Sequence, residues 1–261
     1  MAEKKQTSSG RGVSSLPTNE EMFEAGVHFG HQVTKWTPRM EPYIFGSKNN
    51  IHIIDLDKTI EKLKEALDFI RTLLASGGNI LFVGTTPMAK MVVEEAAPLC
   101  QMPYVSERWL GGTLTNFKII LKRLDHFRDL VRKKEGGELA KYTKKEQHDF
   151  NEEIKKLERK FGGIKKLTKR PDALFVFSAK KNLLAIKEAR AAGVKIVALC
   201  DTNIDPKLVD YPIPSNDDAL SALRLMADYA VKAIEEGKKG VKSEVENKKS
   251  ETNTNDQNLK S

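Results

Sequence analysis

The sequence predicts an α/β protein: a doubly wound parallel sheet carrying an inserted, protruding two-helix coiled-coil arm. Three observations point there. Residues 79–84 (NILFVG), 173–177 (ALFVF) and 194–199 (VKIVAL) are unbroken apolar runs, the pattern of strands covered on both faces, and helical-period segments alternate with them. Between the first two runs, residues 113–170 hold 18 Lys and Arg against 9 Asp and Glu, which accounts for all of the chain's formal net charge of +8. Residues 108–117 (RWLGGTLTNF) join body to arm. The paired glycines there allow a sharp turn, after which Thr113 or Thr115 is expected to cap a helix.

In chain order, residues 1–16 are rich in Ser, Gly and Lys and are expected to be disordered. A globular body of residues 17–112 and 171–236 surrounds the arm at 113–170. A short helix over Asn19–Ala25, capped by Thr18 or Asn19, leads into a turn at Gly26–Gln32. Strands are expected at 43–46 (YIFG) and 51–56 (IHIIDL), joined by a turn over Gly46–Asn50. Asp57 is expected to cap a helix marked by Ile60, Leu63, Leu67, Ile70 and Leu74, and Gly77-Gly78 to end it. A helix over Pro87–Leu99 and a short strand near Pro103–Val105 follow the first buried strand.

The arm reads as two helices. The first, Leu114 to about Arg132, places Phe117, Leu121, Leu124 and Val131 on one side. After a break at Lys134–Gly137, Phe150, Ile154, Leu157, Phe161 and Ile164 recur at the spacing of a coiled-coil seam. The body then resumes with the strand at 173–177, a helix over Lys180–Ala192, and the strand at 194–199. A turn at 201–206 (DTNIDP), an edge strand near Tyr211–Ile213 and a helix over Asp217–Glu235 complete it. Residues 237–261, rich in Lys, Glu, Asn and Ser, are expected to be a disordered tail.

At 261 residues the chain is long enough for one substantial domain with appendages. Its basic balance, with a pI of about 9.2, favours a polyanionic partner. Cys100 and Cys200 form no CxxC pair, so buried reduced thiols are expected rather than a disulfide framework. No run resembles a signal peptide or a membrane span, so a cytoplasmic location is expected.

Three constellations could carry chemistry. Gly84-Thr85-Thr86-Pro87 follows a buried strand and opens a helix, where α/β enzymes bind phosphate. It has neither GxxxxGK[ST] nor GxGxxG, and an ordinary strand-to-helix turn explains it better. His28, His31, Asp201, Asp205, Asp217 and Asp218 could meet at the strands' carboxyl ends and hold a divalent cation, although aspartate more often caps turns. Finally, Lys35, Trp36, Arg39, Tyr43, Phe45 and Lys48, then Arg108 and Trp109, interleave cations with aromatics ahead of the arm. Cations neutralise phosphates and aromatic faces stack on bases. The tryptophans fit a core equally well.

Residues 24–32 (EAGVHFGHQ), 43–59 (YIFGSKNNIHIIDLDKT), 81–85 (LFVGT), 108–117, 171–177 (PDALFVF), 201–206 and 213–219 (IPSNDDA) together resemble the family of the second small-subunit ribosomal protein, in its bacterial form. The likeness spans about residues 19–236. It implies a flavodoxin-like sheet with a protruding coiled-coil arm and a structural, non-enzymatic role on small-subunit (16S-type) rRNA. It also implies neighbouring ribosomal proteins as partners, among them the mRNA-binding protein of OB repeats where present. Neither a membrane nor a small-molecule substrate is expected. No cofactor is required, but a structural zinc or magnesium ion is implied at His31, Asp201 and Asp217. The expected RNA-binding residues are Lys35, Trp36, Arg39, Lys48, Arg108, Lys118, Lys122, Arg123, Arg132 and Lys133. Two departures stand out: Thr86 where lysine is usual, and Ser178 where aspartate is common. Both weaken a ligand site in the crevice. The competing classes are a phosphosugar- or nucleotide-binding α/β enzyme using Gly84–Thr86 and Asp201, and a coiled-coil adaptor that binds protein alone.

Overall fold

The computed structural model describes residues 16–257, with side chains to Lys239. The expectation for residues 1–16 lies, apart from Leu16, outside the described residues. The chain enters through α1 (Asn19–Glu24), begun by a capping box: Thr18 Oγ1 accepts from the Glu21 amide, and Glu21 accepts from the Thr18 amide.

β1 (Phe29–Gln32), β2 (Ile44–Lys48) and β3 (Ile51–Ile54) then form an antiparallel sheet in the order β1-β3-β2. The turn expected at Gly26–Gln32 is therefore partly a strand. Its glycine and histidine break the apolar alternation that marks strands, and its pairing with β3 is irregular between Phe29 and Gln32. Gly30 is needed there, because a Cβ would stand 2.7 Å from the Thr202 methyl group. The β2–β3 turn is tighter than expected. Gly46 lies within β2, and Asn49 and Asn50 turn the chain at φ 52° and 65°, a left-handed geometry that asparagine tolerates.

α2 (Leu56–Ala75) is capped by Asp55 rather than Asp57: Asp55 Oδ1 accepts from the amides of Asp57 and Lys58. β4 (Ile80–Val83), α3 (Pro87–Leu99) and β5 (Tyr104–Val105) follow. The arm segment supplies α4 (Phe117–Glu135) and α5 (Lys144–Phe161), and the body resumes with β6 (Ala173–Val176), α6 (Leu183–Ala191), β7 (Lys195–Cys200), β8 (Tyr211–Pro214) and α7 (Leu220–Gln257). Thus α7 is helical through residues 237–257, where a disordered tail is expected; Lys and Glu favour helix and no proline stops it. Residues 258–261 lie outside the described residues. Among the described residues no helix is long and apolar enough to cross a membrane.

The five remaining strands are parallel in the order β5-β4-β6-β7-β8. Counted within this sheet alone, that order is the flavodoxin-like 2-1-3-4-5, with its switch point between β4 and β6. Every residue of β4 and β6 is buried. Ile80, Phe82 and Phe175 pack with α2, α3 and α7 on one face, while Leu81, Val83, Leu174 and Val176 pack with α6 and the hinge on the other. The two faces explain the unbroken apolar runs. Cys100 and Cys200 are buried free thiols, and burial pushes the Cys100 thiol up to about 11.

The second apolar face continues into the arm. α4 and α5 pack together, burying Ile120, Leu124, Phe127 and Leu130 of one and Ile154 and Phe161 of the other. The buried stripe is centred differently from the one expected: Phe117, Leu121 and Val131 are only half-buried, and Phe127 belongs to it. Adjacent apolar pairs such as Ile120-Leu121 leave that phase ambiguous. Ile164 is buried in a separate helical turn after α5.

The hinge is held by a residue that its own sequence does not reveal. Neither Thr113 nor Thr115 caps α4, which begins after Asn116 without a side-chain cap. Instead, Thr113 Oγ1 donates to the Leu110 carbonyl (2.6 Å), and Gly112 turns at φ 85°. The amides of Gly112 and Leu114 donate at 2.7 and 3.1 Å to the two carboxylate oxygens of buried Glu188, on α6. Glu188→Ala would leave two amides without their partner, and unpaired buried groups cost about 1–3 kcal/mol each. Urea unfolding of Glu188→Ala should show a loss of roughly 2–3 kcal/mol; an unchanged midpoint would mean that the hinge does not rely on this carboxylate.

Candidate functional site

The carboxyl ends of β6, β7 and β8 release Ser178, Asp201 and Asp217 into one buried region, and β1 lays His31 across it. The crossing is fixed by Thr202. Its hydroxyl accepts from the His31 amide at 2.9 Å and donates to Asp201 Oδ1 at 3.0 Å, while its carbonyl accepts from the Thr37 amide at 2.8 Å. His31 Nδ1 lies 2.9 Å from Asp201 Oδ2, and its Nε2 lies 3.7 Å from exposed Asp218. One ligand atom from each of His31, Asp201 and Asp217 falls within 4.8 Å of the others. Of the six residues considered for a cation, these three converge. Asp205 turns instead to Arg39, and His28 stacks on Phe23 and tilts against Phe29 at centroid distances of 4.3 and 4.0 Å.

The electrostatics follow from this packing. Desolvation chiefly, and then the neighbouring Asp201 charge, push the Asp217 carboxyl up to about 7. Ser178 Oγ donates to Asp217 Oδ2 at 2.6 Å and opposes that shift. An ionised aspartate at position 178 could not donate and would add a further negative charge. The hydrogen bond to Asp201 raises the affinity of His31 for its proton. Two carboxylates and an imidazole this close in a largely buried space could hold one divalent cation.

The phosphate-type turn is satisfied internally. Thr85 Oγ1 donates to Asn182 Oδ1 at 2.9 Å, Thr86 caps α3 by accepting from the Ala89 amide, and a Cβ on Gly84 would stand 2.7 Å from Val93.

The expected RNA-binding residues fall into separate groups. Trp36 is half-buried and tilted against His52 at 5.0 Å, so its face is partly committed to the fold. Arg39 pairs with Asp205, while exposed Lys35 and Lys48 stand nearby in sequence but on different elements. Arg108 is exposed beside buried Trp109. On α4, Lys118, Lys122 and Arg123 are exposed. Lys122 and Arg123 share with His126 and Lys160 the rim of a groove floored by Leu157 and Phe161. Further along α4, Arg132 and Lys133 both pair with Asp129, a weak exposed arrangement.

Sequence reasoning misses Lys160, the Glu188 clamp and Glu107, which pairs with Lys90 of α3 and, at 3.4 Å, with Arg159 of α5. The last two join residues distant in sequence, for which one chain offers no signal.

The family model of ribosomal protein S2 matches residues 22–237, covering the parallel sheet, the carboxyl-end cluster and the arm. Most of the chain lies within that match, and the protein belongs to the ribosomal protein S2 family, ribonucleoprotein components of the small ribosomal subunit that take part in translation.

Proposed function

We propose that the protein is a structural constituent of the small subunit whose α/β body mounts a projecting, coiled-coil-like basic arm against 16S-type rRNA, as in bacterial ribosomes. The observation that carries this reading is the placement of charge. Of the arm segment's excess of nine cations, five lie on α4 and α5, which bury only a narrow apolar stripe and expose Lys118, Lys122, Arg123 and Lys160, and four lie at residues 165–170. Such a surface neutralises phosphate and recognises folded RNA largely by shape. The Trp36–Lys48 stretch and Arg108 extend the contact on the body. The internally bonded Gly84–Thr86 turn gives no support to a phosphosugar- or nucleotide-binding enzyme.

A protein neighbour fits a different surface. Phe23 and Phe29, which flank His28, are exposed on α1 and β1, Phe23 by 63%. Large exposed aromatics suit an apolar partner rather than phosphate. We assign this surface to ribosomal-protein contacts, including the mRNA-binding OB-repeat protein where one is present.

The charge reversals Lys122→Glu, Arg123→Glu and Arg132→Glu, made together in the full chain, should impair incorporation into small subunits while leaving the circular dichroism and melting temperature near wild type. A folded triple variant that incorporates normally would remove the arm from the contact.

A structural cation fits the cluster at His31, Asp201 and Asp217, because it would relieve the repulsion between two buried carboxylates; the imidazole favours zinc over magnesium. Bound, such an ion would cross-link β1 to the carboxyl ends of β7 and β8. Added zinc at a hundredfold excess over its Kd should raise the wild-type melting temperature by roughly 5–10 °C. Asp217→Asn should abolish most of that rise, whereas an equal rise in both proteins would place the ion elsewhere.

A further inference from the structure

A second recess lies at the opposite end of the sheet. Asn79 precedes β4 and Pro103 precedes β5, so both mark the strands' amino ends, and with the segment following α5 they line a cavity of about 480 Å³. This is the size range of pockets that hold small organic groups. Its apolar wall comes from Pro98, Met102, Pro103 and half-buried Tyr104, and Leu167 faces them. Its rim comes from Lys165, Lys166 and Lys169.

The cavity is built rather than incidental. Gly163 lies so close to the edge strand that a Cβ would stand 2.3 Å from the Tyr104 carbonyl oxygen. Arg128 of α4 donates to the carbonyls of Lys165 and Leu167 at 2.7 and 2.8 Å, fixing the rim to the arm. Lys165 rests over the Phe127 ring at 5.4 Å. Lys166, Thr168, Lys169 and Arg170 remain exposed, and residues 165–170 (KKLTKR) contain no carboxylate. The nearest acid in sequence, Asp172, pairs with Lys169 at 3.5 Å.

We propose that this cavity receives one unpaired nucleotide of RNA, its base against the apolar wall at Tyr104 and its flanking phosphates on Lys166 and Lys169. The proposal rests on the rRNA-binding reading above and gives it a specific subsite. Charge complementarity selects the occupant. An apolar recess with an aromatic wall suits a base, which every nucleotide presents as a π-face. Exposed cations along the rim suit a continuing backbone, whereas a free metabolite in this fold class is expected at the carboxyl ends of the strands. Extruded single-stranded bases are what proteins read most readily in RNA.

The test compares the full-length wild type, Lys166→Glu/Lys169→Glu and the arm triple variant on transcribed small-subunit rRNA. Affinity is measured across a salt series, and base accessibility by chemical probing. The wild type should shield one unpaired base. The rim variant should lose that protection and flatten the slope of log affinity against log salt by about 2, while keeping the protections that the arm variant loses. If charge reversal unfolds the chain, Lys166→Gln/Lys169→Gln is read in its place. A folded rim variant with wild-type affinity, slope and protection would overturn the subsite and leave the arm contact standing. A wild type that binds no rRNA would overturn both.

Discussion

Glu188 joins the α/β body to the arm segment. It sits on α6 against the sheet, and its two carboxylate oxygens take the amides of Gly112 and Leu114, where the chain leaves the body for the arm. A diglycine turn has little conformational preference of its own, so its geometry must be imposed from outside. A buried carboxylate accepting two amides does so, and those amides in turn spare the carboxylate the cost of lacking partners. Trp109 and Leu114 on either side are buried in the same apolar cluster as Leu81, Val83 and Val176. The arm is therefore an extension of one face of the sheet, and the Lys90–Glu107–Arg159 link and the Arg128 hydrogen bonds tie down its base.

Chemistry is divided between the two ends of the sheet. At the carboxyl end, a small antiparallel sheet is laid over Thr202, possible because Gly30 lacks a side chain, and the result is a compact acidic cluster around His31. At the amino end, the arm's root sets cations beside apolar walls. The same topology that creates the flavodoxin-like switch point leaves that crevice internally bonded through Thr85 and Asn182.

The body was legible in the sequence where burial is two-sided, because β4, β6 and β7 then read as unbroken apolar runs. It was less legible where geometry depends on partners. β1 has a glycine and a histidine where a strand is expected to alternate, and only its pairing with β3 makes it a strand. The choice between Asp55 and Asp57 as cap turns on which backbone remains extended before the helix, and the stripe of α4 turns on which of two adjacent apolar residues faces α5. The His31, Asp201 and Asp217 set could be narrowed from six residues to three only through family resemblance. Spacing alone does not say that β1 crosses the ends of β7 and β8. Glu188 carried no local signal, since its partners lie more than seventy residues away.

We propose that this fold holds a basic arm and its root against small-subunit rRNA. The most direct measurement is sedimentation of the tagged full-length protein from lysate through sucrose gradients of increasing salt, with small-subunit and whole-ribosome fractions assayed separately. Near-stoichiometric protein is expected in both fractions at moderate salt, with progressive release as salt rises, because phosphate contacts are screened. Protein that stays at the top of the gradient at moderate salt would contradict it.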